Sequence, residues 1–249
     1  AGIIRRSDSP WASPLHMVQK KDGGWRPCGD YRRLNNITTP DRYPLPNMQD
    51  LNGRLAGCKV FSKLDLVKGY HQVPVAAADV PKTAITTPFG LFEYLFMPFG
   101  LKNASQSFQR LMDRVFANQP AVFVYLDDNL VATATAEEHL QVLQQVFRLL
   151  QANGLVLNLE KCEFFQDSID FLGHKVHSGG VEPLQTHVDA ITNAPPPTTP
   201  KELQRFLGMV NFYCRFTPAA ARMLRFLTEA LKGNPKVLSW SPEMQAAAD

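Results

Sequence analysis

Residues 121–133 read AVFVYLDDNLVAT. Residues 121–126 are an apolar run, 127–129 are polar, and 130–133 are apolar again except for the closing Thr133. That pattern predicts a buried strand, a tight tip and a returning strand. The tip carries two adjacent carboxylates, Asp127 and Asp128, and the apolar strand pins it from below. A third carboxylate, Asp65, stands at the end of a strand predicted over residues 59–66. Phosphoryl transfer on two divalent metals about 3.5–4 Å apart needs such a set on rigid elements. Hard Mg²⁺ takes oxygen ligands and is held by few carboxylates plus substrate phosphates. The same tip also reads as a plain polar turn, since Asp and Asn dominate turns. Its neighbourhood has to choose between the two readings.

Before the tip, residues 103–116 are helical by spacing, with Phe108, Leu111, Met112, Val115 and Phe116 at i, i+3, i+4, i+7 and i+8. After it, Thr135 and Glu138 form a capping box that opens a second helix. Its apolar face is read as Leu140, Leu143, Phe147 and Leu150 with Val146 beside them, and Gly154 stops it. A strand pair is expected around residues 155–165 and 169–176. Thr199-Pro200-Lys201-Glu202 starts a further helix with a cap, proline at N1 and glutamate at N3. Leu203, Phe206, Leu207, Val210 and Cys214 would form its buried stripe, and Gln204, Gly208 and Phe212 line another face. Residues 193–199 (NAPPPTT) hold three consecutive prolines, so a subdomain boundary is expected there. Near the start, Asp22-Gly23-Gly24 turns a hairpin between residues 17–21 and 25–28. Helices packed on one face of an antiparallel sheet place the chain in the α+β class.

The bulk properties are permissive. At 249 residues the chain can bury a proper core, and its 45% hydrophobic and 20% charged content is ordinary for a globular protein. A net charge of +3 does not by itself announce a nucleic-acid partner, but permits a basic channel where the charges cluster. Cys28, Cys58, Cys162 and Cys214 form no CxxC pair and read as thiols in a reducing compartment. No run of 18 or more apolar residues offers a membrane-spanning segment. Ala1 opens the chain without Met or a signal peptide, which suggests a piece of a polyprotein or a truncated chain.

Residues 9–24 (SPWASPLHMVQKKDGG), 25–35 (WRPCGDYRRLN), 61–75 (FSKLDLVKGYHQVPV), 97–112 (MPFGLKNASQSFQRLM), 124–133 (VYLDDNLVAT) and 170–176 (DFLGHKV) follow one another in a familiar order. Together they cover most of the chain and resemble reverse transcriptases of gypsy-type (Metaviridae) LTR retrotransposons, relatives of the retroviral enzymes. Met97-Pro98-Phe99-Gly100 points to the retrotransposon branch. Retroviral enzymes usually carry Gln where Phe99 stands, so their glutamine contact to the incoming sugar does not carry over. Ser105 and Gln106 also depart from the commonest pattern, with no consequence to assign.

The resemblance implies a right-hand polymerase with an antiparallel palm sheet backed by helices. Fingers would occupy residues 1–39 and 73–103, palm 40–72 and 104–181, and thumb with the start of the connection 182–249. It implies RNA- and DNA-directed DNA synthesis from dNTPs onto a primer 3′-OH, on two Mg²⁺ ions with Mn²⁺ as a substitute. Asp65, Asp127 and Asp128 are then the catalytic, metal-binding triad, with Asp65 and Asp127 as direct ligands and Asp128 beside them. Lys20 or its neighbour Lys21 and Arg26 are expected at the triphosphate, Arg26 through its planar fork. The bland reading of these cations is a solvated hairpin edge. Tyr70 and Phe99 are expected at the nucleotide, Tyr70 beneath the sugar, where a plain core aromatic is the alternative. Phe171, Leu172 and Gly173 would be the primer grip, or an ordinary strand with Phe171 inward. Arg32 would contact template, or pair with Asp30. Gln204, Gly208 and Phe212 would track the minor groove of the primer–template. A mid-helix glycine costs about 1 kcal/mol against alanine, which such an approach or a neighbouring helix would explain.

The implied partners are an RNA template, a DNA primer–template, an RNA–DNA hybrid, dNTPs, and RNase H and integrase domains of the same polyprotein. No membrane is implied, and the implied location is cytoplasmic, within virus-like particles. Two other classes compete with this reading. An RNA-dependent RNA polymerase shares the palm chemistry but usually carries Gly-Asp-Asp and lacks a bulky Tyr gate. An inactive nucleic-acid-binding scaffold is disfavoured by the presence of all three aspartates.

Overall fold

The computed structural model describes residues 2–19, 23–47, 51, 53–213, 220–233 and 237–238. The chain divides into two compact units, Ala1–Ile169 with His177–Gly180, and Asp170–Val176 with Val181–Asp249. In chain order the first unit holds β1 (Ile4–Arg6), β2 (Ser13–Gln19), β3 (Trp25–Gly29), α1 (Arg32–Ile37), β4 (Val60–Asp65), β5 (Ile85–Thr87) and β6 (Gly90–Tyr94). There follow α2 (Ala104–Val115), β7 (Val122–Tyr125), β8 (Asp128–Thr133), α3 (Ala136–Ala152) and β9 (Glu163–Gln166).

One sheet of this unit has the order β1-β6-β5-β2-β3, with β2 and β5 parallel and the other neighbours antiparallel. Tyr31, Ile85 and Tyr94 are its buried centre. The expected N-terminal hairpin is β2–β3, running from Leu15↔Gly29 to Gln19↔Trp25, and its turn residues 20–22 lie outside the described residues. The second sheet has the order β7-β8-β4-β9 and is antiparallel. Leu64, Phe108, Met112, Val124, Val131, Val146 and Leu150 pack α2 and α3 against it. Strand alternation turns Leu64 toward that covered side and Asp65 to the opposite face of the sheet. The observed class is therefore the expected α+β, with helices on an antiparallel sheet.

Two local readings are corrected. On α3 the buried line is His139, Leu143, Val146 and Leu150, while Leu140 and Phe147 are exposed. The helix is turned by a polar residue that hydrophobicity could not flag. Thr133 Oγ1 donates to the Thr135 carbonyl, so it accepts from His139 Nδ1 at 2.8 Å. His139 Nε2 then accepts from Ser62 Oγ at 2.7 Å, and that oxygen accepts the Phe165 N–H. Every proton has a place when the ring is neutral. The helix start matches its reading: Thr135 Oγ1 accepts the Glu138 N–H.

The strand pair expected over residues 155–165 and 169–176 does not form. Leu157 bridges Leu66, a 3-10 turn takes Leu159–Lys161, and β9 joins β4. Residues 168–177 fold back on themselves as β10 (Ser168–Phe171) and β11 (His174–His177), and β12 (Gly180–Pro183) completes a three-stranded sheet. The fold-back is a two-residue turn with Leu172 at φ 48° and Gly173 at φ 77°. Such a turn matches the strand twist, but a leucine in it gives no sequence signal.

The second unit contains α4 (Gln185–Thr192), α5 (Pro200–Tyr213) and α6 (Ala220–Glu229). Residues 193–199 lie between α4 and α5. Thr199 Oγ1 accepts the Glu202 N–H at 3.2 Å and the Glu202 carboxylate accepts the Thr199 N–H at 3.3 Å, a reciprocal cap. Leu203, Leu207, Leu224, Leu227 and Leu238 form this unit's core, with Phe206 and Val210 packed on it. Cys214 of the expected stripe lies outside the described residues. Among the described residues no helix is long and apolar enough to cross a membrane.

Candidate active site

Asp65 closes β4 and Asp128 opens β8, and the two stand directly opposite in the antiparallel ladder. Residues so placed share one face of the sheet. Asp128 thus belongs to the strand rather than to the tip, which is Leu126-Asp127 between Tyr125 and Asp128. Leu126 has φ 55°, a left-handed conformation that costs a leucine about 1–2 kcal/mol. The turn is held from outside: the Leu126 N–H donates to Oε1 of Gln109 on α2 at 2.8 Å. A neighbouring left-handed residue, Lys68 at φ 50°, brings the chain after Asp65 round to Tyr70. Gly69 beside it serves a close approach, because a Cβ there would lie 3.1 Å from Asp127 Cβ.

Burial pushes the Asp65 carboxyl above the usual carboxylate range, Asp127 adds to the rise, and Lys161 and Lys63 pull it back. Burial also raises Asp128, helped by the charges of Asp127 and Asp65. These carboxylates are costly as bare anions, and a cation relieves that cost. Among the described residues no three His, Cys, Asp or Glu side chains form a ready-made cage. The all-oxygen set therefore fits a hard cation whose shell water and substrate phosphates complete, and does not fit a closed structural site.

A cleft of about 550 Å³ opens at these carboxylates, with Arg26, Asp65, Gly69, Phe99 and Asp127 among its lining residues. The Arg26 guanidinium carbon sits 4.7 Å from the centre of the Phe99 ring, within cation–π range. Phe99 and Tyr70 lie 5.2 Å apart, and Tyr70 meets Phe108 edge-on at 5.2 Å. The Tyr70 hydroxyl is 3.1 Å from Ser105 Oγ, which gives Ser105 a role the sequence does not suggest. The structure thus brings Arg26, Tyr70, Phe99 and the aspartates together from four separate stretches of chain. Lys68, His71 and Lys161 line the same cleft and are absent from the sequence reading. Lys68 and His71 flank Tyr70 and were open to inspection. Lys161 arrives only through the 3-10 turn before β9, and no local pattern announces it.

The remaining expected residues fall elsewhere. Lys20 and Lys21 lie outside the described residues. Arg32 is exposed and pairs with Asp30, Nη2 to Oδ2 at 2.6 Å and Nε to Oδ1 at 2.9 Å. Phe171 is buried at the end of β10, and Leu172 and Gly173 form the β10–β11 turn. Gln204 and Gly208 are exposed on α5. A Cβ at Gly208 would meet nothing within 4 Å, so no neighbouring helix among the described residues accounts for that glycine. Phe212 lies on α5, but its side chain is outside the described ones.

Residues 18–176 match the family model for reverse transcriptase (RNA-dependent DNA polymerase). The chain is 42% identical over 245 residues to the retrovirus-related Pol polyprotein from transposon 297 of Drosophila melanogaster, covering 95% of this chain and 23% of that protein. It is 34% identical over 251 residues to the transposon Tf2-3 polyprotein of Schizosaccharomyces pombe, covering 100% of this chain and 19% of the relative. The chain therefore spans about a fifth to a quarter of the length of these relatives. Its fold matches a foamy viral protease-reverse transcriptase solved in complex with double-stranded DNA, at TM-score 0.92 and 27% identity over 99% of this chain and 44% of the other. The paired aspartates at the β4–β8 ladder, the cleft lined by Asp65 and Asp127, and these likenesses lead to one conclusion: the chain belongs to the reverse transcriptase family, in its gypsy-type LTR-retrotransposon branch.

Proposed function

We infer that this chain is the polymerase part of an LTR-retrotransposon reverse transcriptase, which extends a primer 3′-OH with dNTPs on RNA and DNA templates. The observation that carries the reading is the meeting of Asp65 and Asp127 in one cleft with Arg26 and Phe99, with Asp128 opposite Asp65 on the ladder and Tyr70 packed on Phe99. Asp65, Asp127 and Asp128 would hold two Mg²⁺ ions, Asp65 and Asp127 as the direct ligands and Asp128 beside them, with Mn²⁺ as a substitute. Such ions lower the pKa of the primer hydroxyl and neutralise the triphosphate and the departing pyrophosphate. The chain's own residues bind and orient. Arg26, backed by the Phe99 face, offers its guanidinium to the triphosphate, and Lys20 or its neighbour Lys21 adds an ammonium group there. Tyr70 and Phe99 bound the nucleotide, and Phe171, Leu172 and Gly173 steer the primer end. Arg32 meets the template, while Gln204, Gly208 and Phe212 follow the minor groove. RNase H and integrase domains belong to the same longer polyprotein, within virus-like particles in the cytoplasm.

The test is primer extension on an RNA template with dNTPs and Mg²⁺, for the wild type, Asp65→Asn and Asp127→Asn. Extension by the wild type alone is expected, with primer–template binding retained in both variants. The loss of one negative charge removes a ligand, not the duplex surface. Near-wild-type rates in either variant would sink the site assignment.

A further inference from the structure

Gln109 and Asn129 are fully or almost fully buried carboxamides, and both touch the turn that carries the aspartates. Gln109 reaches from α2. Its Oε1 accepts the Leu126 N–H at 2.8 Å, and its Nε2 donates to the Val124 carbonyl at 3.2 Å and to Asp113 Oδ1 at 2.8 Å. Both amide hydrogens are therefore used. The other Asp113 oxygen accepts the Tyr43 hydroxyl at 2.7 Å, and the Tyr43 ring lies 4.6 Å from the Arg110 guanidinium, which itself bonds Asp41. Asn129 holds the far side. Its Nδ2 donates to the Asp127 carbonyl at 3.1 Å and lies 3.4 Å from the Leu64 carbonyl. Its Oδ1 is buried without a partner among the described residues.

A two-residue hairpin turn usually recruits Gly or Asn where φ is positive. This one has Leu126 at φ 55° and Asp127, so its own residues do not favour its shape. The shape has to be imposed, and a backbone N–H turned inward under α2 needs an acceptor. Gln109 supplies both. Asn129 ties the carbonyl of Asp127 to the strand one residue before Asp65, so the two carboxylate-bearing elements are joined through one side chain.

We propose that Gln109 and Asn129 are positioning residues, a two-sided carboxamide clamp that holds the Leu126-Asp127 turn, and with it Asp127 and Asp128, in register with Asp65. The proposal deepens the polymerase reading of these aspartates and rests on it. Its consequence is that removing the clamp slows turnover while leaving nucleic-acid binding alone, because Gln109 and Asn129 lie beneath the sheet end and not on its surface.

The experiment compares the wild type with Gln109→Leu, Asn129→Leu and the double variant Gln109→Glu with Asp113→Asn. In the double variant the carboxylate introduced at position 109 still accepts the Leu126 N–H. The carboxamide introduced at position 113 donates to that carboxylate, so the bond between the two positions survives with its direction reversed, while the Val124 carbonyl alone loses its donor. Two readouts are taken: exchange of the Leu126 amide by NMR with ¹⁵N-leucine, and kcat, dNTP KM and primer–template Kd from extension assays. Gln109→Leu is expected to speed Leu126 exchange and lower kcat by at least about tenfold, a change of about 1.4 kcal/mol each, with KM and Kd within about twofold. Asn129→Leu is expected to lower kcat in the same way, and the double variant, which keeps the acceptor for the Leu126 N–H but not the donor to Val124, to regain Leu126 protection and part of the rate. Unchanged Leu126 exchange in Gln109→Leu overturns the clamp. So does a parallel loss of kcat, primer–template binding and melting temperature that the double variant fails to restore, since that marks a general packing role. A wild type that extends no primer overturns the polymerase reading instead, while the exchange experiment still decides the clamp.

Discussion

Tyr70 is held on three sides, by the Phe99 and Phe108 rings and by Ser105 Oγ. A ring so confined presents a fixed edge. Synthesis of DNA requires rejection of ribonucleotides, which differ by one hydroxyl, and an open pocket rejects an added hydroxyl poorly. A rigid ring against the sugar leaves no room for the extra oxygen. Tyr70→Val is therefore expected to raise ribonucleotide use relative to dNTP use by at least about tenfold, or about 1.4 kcal/mol of discrimination. The measurement is kcat/KM for matched dNTP and rNTP on one primer–template. If both efficiencies fall and their ratio stays fixed, Tyr70 is a packing residue and the gate lies elsewhere. Gly69 bears on the same corner. A Cβ at Gly69 would lie 3.1 Å from Asp127 Cβ and 3.3 Å from the Phe108 ring, so Gly69→Ala should displace that aspartate and lower the extension rate. A full rate in Gly69→Ala would show that the close approach is dispensable.

At the scale of the element, α3 shows a helix docked by a histidine. His139 is buried between Ser62 of β4 and Thr133 of β8, and burial pushes its pKa below the ordinary 6.5. The sign of the pH effect follows from proton counting. Below about pH 6.5 the unfolded chain takes up a proton that folded His139 resists, so this group's contribution is fully present above that value and is lost as pH falls toward the depressed folded value. His139→Leu should thus flatten the decline in melting temperature between about pH 7.5 and about pH 5.5. It should also lower stability at neutral pH by about 1–3 kcal/mol, since Ser62 and Thr133 lose their partner. A variant with the same acid slope as the wild type would show that His139 is not the group responsible. The cap of α5 offers a cleaner case. Thr199→Ala removes the acceptor for the Glu202 N–H and should cost the second unit about 1 kcal/mol in denaturant unfolding.

For the whole molecule, the net charge of +3 is small, and the cations are scattered over β3, α1, the turn before β9 and α5. Duplex binding built on such dispersed phosphate contacts releases counterions, so affinity should fall steeply with ionic strength. Fluorescence anisotropy of a labelled primer–template between about 50 and about 200 mM salt measures this. A flat response would mean that phosphate contacts do not carry the binding.

Much of this is legible in the chain because it is local. The hairpin at residues 121–133, the helix at 104–115 and both Thr–Glu caps follow from residue periods and from groups three positions apart, and the structure has them within a residue or two. The three aspartates, Arg26, Tyr70 and Phe99 stand out without any knowledge of contacts, because their motifs are contiguous strings. What tertiary structure alone decided is long-range or against local preference. Leu140 and Phe147 are as apolar as their buried neighbours, and only the His139 bonds to two strands set the rotation of α3. The left-handed Leu126 and Leu172 carry no glycine at their own positions to announce them, so residues 169–176 read as unbroken strand. Lys161 and Gln109 come to the aspartates from stretches whose own sequence gives no reason for it, and Asn129, though next to Asp128, gives no local sign that its amide will hold the Asp127 carbonyl. The amino-acid order determines which groups are available for chemistry. The cost of leaving a buried N–H, carbonyl or carboxylate without a partner determines which of them the fold must bring together.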